Sequence, residues 1–107
     1  MSDYARYEMS DGTIVDIGNS SAQWSEGKRF DGSNQVSLAT GSQWDHQTLY
    51  RSRRGRYYVE RSSQWQGSTP SAEWLSNEDA CRWLLKNEHD AADFPDDLAK
   101  LVEELTD

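Results

Sequence analysis

The spacing of apolar residues changes period once along this chain. Before residue 75 they alternate with polar residues in short runs; after it they recur every three or four positions. Alternation is the mark of half-buried strands and the longer period that of amphipathic helices. Residues 4–9 and 13–17 flank Asp11-Gly12, a pair favoured in two-residue type I′ turns, and predict a β-hairpin. Residues 18–47 are rich in Gly, Ser, Asn and Gln, with Trp24, Phe30 and Trp44 as isolated anchors. Here residues 20–24 suggest one helical turn and residues 35–38 a short strand. A loop of this length in a compact domain is usually functional.

Residues 47–65 predict a second strand pair turning at Gly55. With Arg54-Gly55 at its centre, Arg51 faces Tyr58 and Arg53 faces Arg56. Alternation then places Tyr50, Tyr57 and Val59 on a core face, and Leu49, Arg51, Arg53, Arg56 and Tyr58 on a basic face. A slip of one residue would exchange the two faces. Residues 71–75 follow as a further strand.

Residues 76–79, Ser-Asn-Glu-Asp, form a helix-capping sequence, and Ala80, Trp83 and Leu84 then fall on one helical stripe. Asn87 ends this helix. Pro95 opens the next, where its missing N–H is not needed. Leu98, Leu101, Val102 and Leu105 follow at i, i+3, i+4 and i+7. Strands followed by helices predict an α+β fold in one domain over residues 1–107: residues 1–75 mainly strand and loop, and residues 76–107 helical, packed on the sheet.

Composition qualifies this picture. Mean hydropathy is −0.98 and only 35% of residues are apolar, which leans toward disorder. Five Trp, five Tyr and two Phe argue for a folded, aromatic-anchored core. Cys81 is alone, so no internal disulfide forms, which suits a reducing compartment. The first twelve residues lack the basic and apolar regions of a signal peptide, and no apolar run is long enough to span a membrane. A cytoplasmic protein is the expectation, the host cytoplasm if the gene is carried by a phage.

The charges are sorted by segment. Residues 48–61 carry five arginines against Glu60, net +4, and residues 78–107 carry ten acids against three bases, net −7. Sorted charge creates local fields that select partners. The acidic segment has two readings: a solvated helix face with Asp96–Lys100 and Lys100–Glu104 pairs, or a mimic of nucleic-acid phosphates. The second would use Asp90, Asp93, Asp96, Asp97, Glu103 and Glu104 against a protein partner with a basic nucleic-acid-binding surface. The basic segment also has two readings. Arg51, Arg53 and Arg56 beside Tyr58 would make a small platform for single-stranded nucleic acid. Alternatively these arginines pair with the molecule's own acidic helices.

Catalytic signatures are absent from the sequence. Cys81, His46 and His89 lack metal-ligand spacing, and Asp90, Asp93, Asp96 and Asp97 lack the calcium-loop pattern, so neither a metal nor a cofactor is expected. Asp45-His46 are sequence neighbours, an adjacency that does not supply the geometry of a dyad, and His46 reads as a surface histidine. Cys81 beside an inward helical stripe reads as a small buried residue. A small hydrolase is kept as a third possibility only for the unexplained 18–47 segment. Gln-Trp recurs at residues 23–24, 43–44 and 64–65, but the flanking sequences do not match. The tryptophans read mostly as core, with one or two left as interface anchors.

The run ATGSQW, then LYRSRRGRYY, SQWQGSTPSAEW and WLL, spanning residues 39–85, resembles small proteins encoded in bacterial and mobile-element genomes. The resemblance implies a prokaryotic or phage setting and carries no activity and no site residues. The sequence-level expectation is therefore a small acidic, non-enzymatic binding protein that occludes a basic target, for example an inhibitor of the anti-CRISPR or anti-restriction type. A single-stranded nucleic-acid module is the alternative.

Overall fold

The computed structural model describes residues 6–65 and 67–107. Tyr4, assigned to the first hairpin above, lies outside them. The strands are β1 (Arg6–Glu8), β2 (Ile14–Asp16), β3 (Ala22–Ser25), β4 (Lys28–Phe30), β5 (Gln35–Ser37), β6 (Asp45–Arg51), β7 (Tyr57–Ser63) and β8 (Ser71–Leu75). The helices α1 (Asn77–Lys86), α2 (Asp96–Ala99) and α3 (Val102–Leu105) follow. The fold is α+β, as the change of period predicts, with the helices at the C-terminal end.

The central sheet has the order β3-β6-β7-β8, with every pair antiparallel. Its register corrects the sequence reading by one residue: Arg51 faces Tyr57, Tyr50 faces Tyr58 and Leu49 faces Val59. The cause is the turn. Ser52 N–H donates to Arg56 O at 2.7 Å and Gly55 N–H to Ser52 O at 2.9 Å, so the loop holds three residues, Arg53, Arg54 and Gly55. Gly55 takes the left-handed conformation, φ +90°, that this loop requires at its last position. The first hairpin repeats the device. Met9 N–H donates to Thr13 O at 2.8 Å, Gly12 N–H donates to Met9 O at 2.9 Å, and Gly12 has φ +86°. Asp11-Gly12 is thus the end of a three-residue loop, not the centre of a two-residue turn.

The register decides what covers each face. Leu49 and Tyr57 face the helices and join Ala39, Ala80, Cys81, Trp83, Leu84, Phe94 and Leu98 in the larger core, with Trp24 packed against it. Tyr50 and Tyr58 face the opposite way and join Met9 and Val15 of the β1–β2 hairpin. The sheet is therefore covered on both sides, and the exposed basic face of the sequence reading does not form. Tyr58, placed there, has no exposure. Its ring stacks on Tyr50 with centroids 5.2 Å apart and meets the edge of Trp74 at 5.8 Å.

Two further differences are local. Residues 22–25 form an edge strand on β6 rather than a helical turn, and only residues 17–19 make a tight 3-10 turn before it. The C-terminal stripe is broken: α2 ends at Ala99 and α3 begins at Val102. Leu98 is buried, while Leu101, Val102 and Leu105 pack at the margin of the core. α1 follows its sequence signals, with Ser76 Oγ accepting from Asp79 N–H at 3.1 Å. Asn87 at its C-terminus is buried and does more than stop the helix. Its amide donates to Trp83 O at 2.8 Å and accepts from Gly27 N–H at 2.9 Å, fastening α1 to the β3–β4 connection.

Leu84 has no exposure and belongs to the larger core. Leu84→Ala is expected to lower stability by about 2–5 kcal/mol in urea unfolding, with an unchanged denaturant slope.

Candidate functional site

The two short C-terminal helices present their carboxylates according to which side of each is apolar. Leu98 and Phe94 turn inward, so Asp93 and Asp96 turn out; Glu103 and Glu104 lie exposed on α3, and Asp90 caps the 3-10 turn at residues 91–93. Asp90 accepts from Ala92 N–H at 2.9 Å and keeps its exposure. Among the described residues, none of these five acids forms an ion pair, and neither Asp96–Lys100 nor Lys100–Glu104 closes. The acids of α1 differ: Arg82 reaches Asp79 at 2.9 Å and Glu78 at 3.6 Å.

Asp97 departs from its predicted companions. Its carboxylate accepts from the Tyr57 hydroxyl at 2.8 Å and lies 3.9 Å from the Arg51 guanidinium. Arg51 in turn sits over the Tyr57 ring, 5.8 Å from its centroid. The contact ties α2 to the sheet, so Asp97 belongs to the packing and the other five to the surface. It also realises, at this one position, pairing between the arginine segment and the molecule's own acidic helices.

The remaining arginines disperse. Arg56 lies 3.8 Å above the Trp74 ring and 3.3 Å from Asp11, and Arg61 pairs with Glu73 at 2.8 Å. Trp74 Nε1–H also donates to Asp11 at 3.2 Å. Three hydrogen-bonded partners, Thr13 first, hold the Asp11 carboxyl well below the usual carboxylate range. Arg53 and Arg54 project from the turn, exposed, at the rim of a cleft of about 480 Å³ between that turn and the first hairpin. Arg56 and the buried Tyr58 line the same cleft, so of the four residues predicted to act together only Arg51, over Tyr57 and beside Asp97, lies apart.

Four phenols sit between the layers and titrate above the ordinary value. Burial is the largest cause for Tyr7, Tyr50, Tyr57 and Tyr58. Carboxylates add to it: Tyr7 donates to Glu60 at 2.7 Å and Tyr57 to Asp97. Tyr50 is pushed up to about 12. Folding thus raises these pKa values, so the unfolded chain loses its phenolic protons first. Their contribution is complete below the unfolded value near 10 and is lost as pH rises through the folded values.

His46 finds its carboxylate elsewhere than Asp45. Nδ1 bonds Glu26 at 2.7 Å, while the other oxygen of Glu26 accepts from Ser37 Oγ at 2.8 Å and from Gln47 N–H at 2.7 Å. The Ser37 hydroxyl is therefore committed to Glu26, and the carboxylate clamps β5 and β6 to the β3–β4 connection. No spacing signal pointed to Glu26, because β3 and β4 bring it there from twenty positions away. Cys81 is fully buried, with Sγ 3.6 Å from Leu98 O, and burial pushes its thiol up. Among the described residues, no three His, Cys, Asp or Glu side chains cluster as a cation site. No helix there is long and apolar enough to cross a membrane.

Two of the five tryptophans are exposed: Trp44 at 41% and Trp65 at 59%. They are the second and third Gln-Trp pairs, and their local structure matches. Trp44 N–H donates to Ser42 Oγ at 3.0 Å and Trp65 N–H to Ser63 Oγ at 3.2 Å. Gln64 N–H donates to Trp44 O at 2.9 Å, extending the β6–β7 ladder and setting the two indoles side by side, centroids 5.4 Å apart. The first pair behaves differently: Trp24 packs on Tyr57 beside the helices.

The chain matches no protein-family model and shows no significant similarity to a curated protein or to a solved structure.

Two outcomes follow. Asp97→Ala is expected to lower stability by about 1–3 kcal/mol, because it strips a buried phenol of its acceptor, whereas Asn or Gln at Asp90, Asp93, Asp96, Glu103 and Glu104 together leaves the thermal midpoint unchanged or higher. In alkaline titration, stability should fall as pH climbs past about 10, and Tyr57→Phe should flatten that fall.

Proposed function

We propose that the protein acts as a non-enzymatic binding protein whose C-terminal acidic surface docks on a protein with a basic, nucleic-acid-binding face. One observation carries the reading: Asp90, Asp93, Asp96, Glu103 and Glu104 are exposed and form no ion pair among the described residues, on a 3-10 turn and two short helices held down by Leu98 and Phe94. Five uncompensated carboxylates within fifteen residues repel one another, a cost that folding alone does not require. A basic groove evolved for phosphates would supply the missing counter-charge, and complementary fields would speed the encounter. Occupying that groove blocks nucleic acid by exclusion. In a prokaryotic or phage setting the concrete form is an inhibitor of a defence nuclease, of the anti-CRISPR or anti-restriction type.

A second reading rests on Arg53 and Arg54. Both are exposed beside a cleft and form no ion pair among the described residues. They would take a nucleic-acid phosphate directly, and such binding would weaken steeply with salt.

The two readings separate in one experiment. Tagged protein is incubated with nuclease-treated bacterial lysate and eluted with a salt gradient. The first reading expects a nucleic-acid-binding protein to elute at moderate salt, and to be lost when Asp90, Asp93, Asp96, Glu103 and Glu104 are all made neutral. Undiminished capture by that variant overturns the first reading. Nucleic acid recovered only when nuclease is omitted, and abolished by Arg53→Glu/Arg54→Glu, would establish the second.

A further inference from the structure

Trp44 and Trp65 lie at the opposite end of β6 and β7 from Arg51 and Asp97, roughly 20 Å away at about 3.3 Å per strand residue. Neither the acidic surface nor the arginine turn uses them. Trp44 is 41% and Trp65 59% exposed, so even after covering part of each other the two indoles keep a large apolar surface in water. Their matching serine turns hold both backbones in place, so the exposure is built into the β6–β7 ladder.

Their surroundings are polar and nearly neutral. An open groove of about 470 Å³ lies over the adjoining residues of β6 and β7, lined by Asp45, Ser63, Ser68 and Thr69 among others, with neither indole in its lining. Asp45 directly follows the triplet Ser42-Gln43-Trp44, Ser63 opens the triplet Ser63-Gln64-Trp65, and the two face each other across the ladder. His46 lines the groove as well, and its buried Nε2 atom has no hydrogen-bond partner among the described residues. Arg61, the lining cation, is neutralised by a two-pronged contact with Glu73 at 2.8 and 2.9 Å.

We propose that Trp44, Trp65 and this groove form a binding site for a neutral carbohydrate. The indoles offer what the apolar face of a pyranose needs: its C–H bonds carry slight positive charge and lie against the negative π face of an aromatic ring. The hydroxyl and carboxylate lining offers donors and acceptors for the sugar's equatorial hydroxyls. The geometry disfavours the other ligands that use paired aromatics. A proline-rich peptide needs a slot between rings, whereas these rings, 5.4 Å apart and tilted by 46°, already touch each other. A single nucleic-acid strand would stack here only with a cation for its phosphate; Arg61 is engaged, and the whole chain carries −8.

The test is a titration of the intact protein, followed by tryptophan fluorescence and calorimetry, with linear cello-, chito-, malto- and xylo-oligosaccharides. Saturable binding to at least one series is expected. Trp44→Ala and Trp65→Ala should each weaken it roughly tenfold or more, with far-UV circular dichroism and thermal midpoint retained because both side chains are exposed. Glu103→Gln/Glu104→Gln should bind the sugar as the parent does, which keeps this site separate from the acidic surface. No saturable signal with any series at millimolar ligand overturns the proposal. So does undiminished binding by the double Trp variant. Saturation instead by oligo-dT or a proline-rich peptide, or Trp-dependent self-association, would overturn it in favour of that occupant.

Discussion

A strand's side chains alternate between faces, so the pairing of β6 with β7 admits only two distributions of the residues around Gly55. In one, Tyr58 and the arginines share an open face. In the other, Leu49 and Tyr57 meet the helices while Tyr50 and Tyr58 meet the first hairpin. The three-residue loop, with Gly55 at φ +90°, selects the second. Burial enforces it: a one-residue slip of β7 against β6 would lift Tyr57 off the helical core and turn Arg56 toward it. The two cores, the position of Arg51 and the loss of a basic face all follow from that loop.

Covering both faces of a thin sheet with so few aliphatic residues leaves phenols to complete the packing. Each has an apolar ring and a hydroxyl that must find an acceptor when buried. Tyr57 finds Asp97, Tyr7 finds Glu60 and Tyr58 meets Ser20. The tyrosines thereby tie helix, hairpin and the turn leading into β3 to the sheet, and Asp97 is drawn from the acidic run into the structure. Glu78 and Asp79 pair with Arg82, while Asp90, Asp93, Asp96, Glu103 and Glu104 form no ion pair among the described residues and stay exposed.

The serine-glutamine-tryptophan triplets show local sequence and tertiary position acting at different levels. Ser42 and Ser63 impose the same turn on Trp44 and Trp65, a preference readable from a serine two residues before the N–H it accepts from. That the two turns sit side by side depends on the β6–β7 register. Trp24, in the remaining pair, sits mid-strand in β3, opposite Leu49, and is used as core. One dipeptide thus serves burial in one place and exposure in another, which is why the flanks gave no sign of a repeat.

The sequence by itself determined the elements whose signals are local. Ser76, Asp79 and the Ala80–Trp83–Leu84 stripe set α1; alternation marked β6, β7 and β8; Pro95 and Leu98 set the start of α2. Their warrants lie within a few residues, in capping bonds and in the periods of helix and strand. The tertiary structure alone decided which face of the central sheet is which, because a difference of one residue in loop length inverts it. It also joined Glu26 to His46, Asp97 to Tyr57 and Trp44 to Trp65, contacts between positions 20, 40 and 21 residues apart. The side chains at those positions are ordinary, and only chain reversal through the sheet brings them within bonding distance.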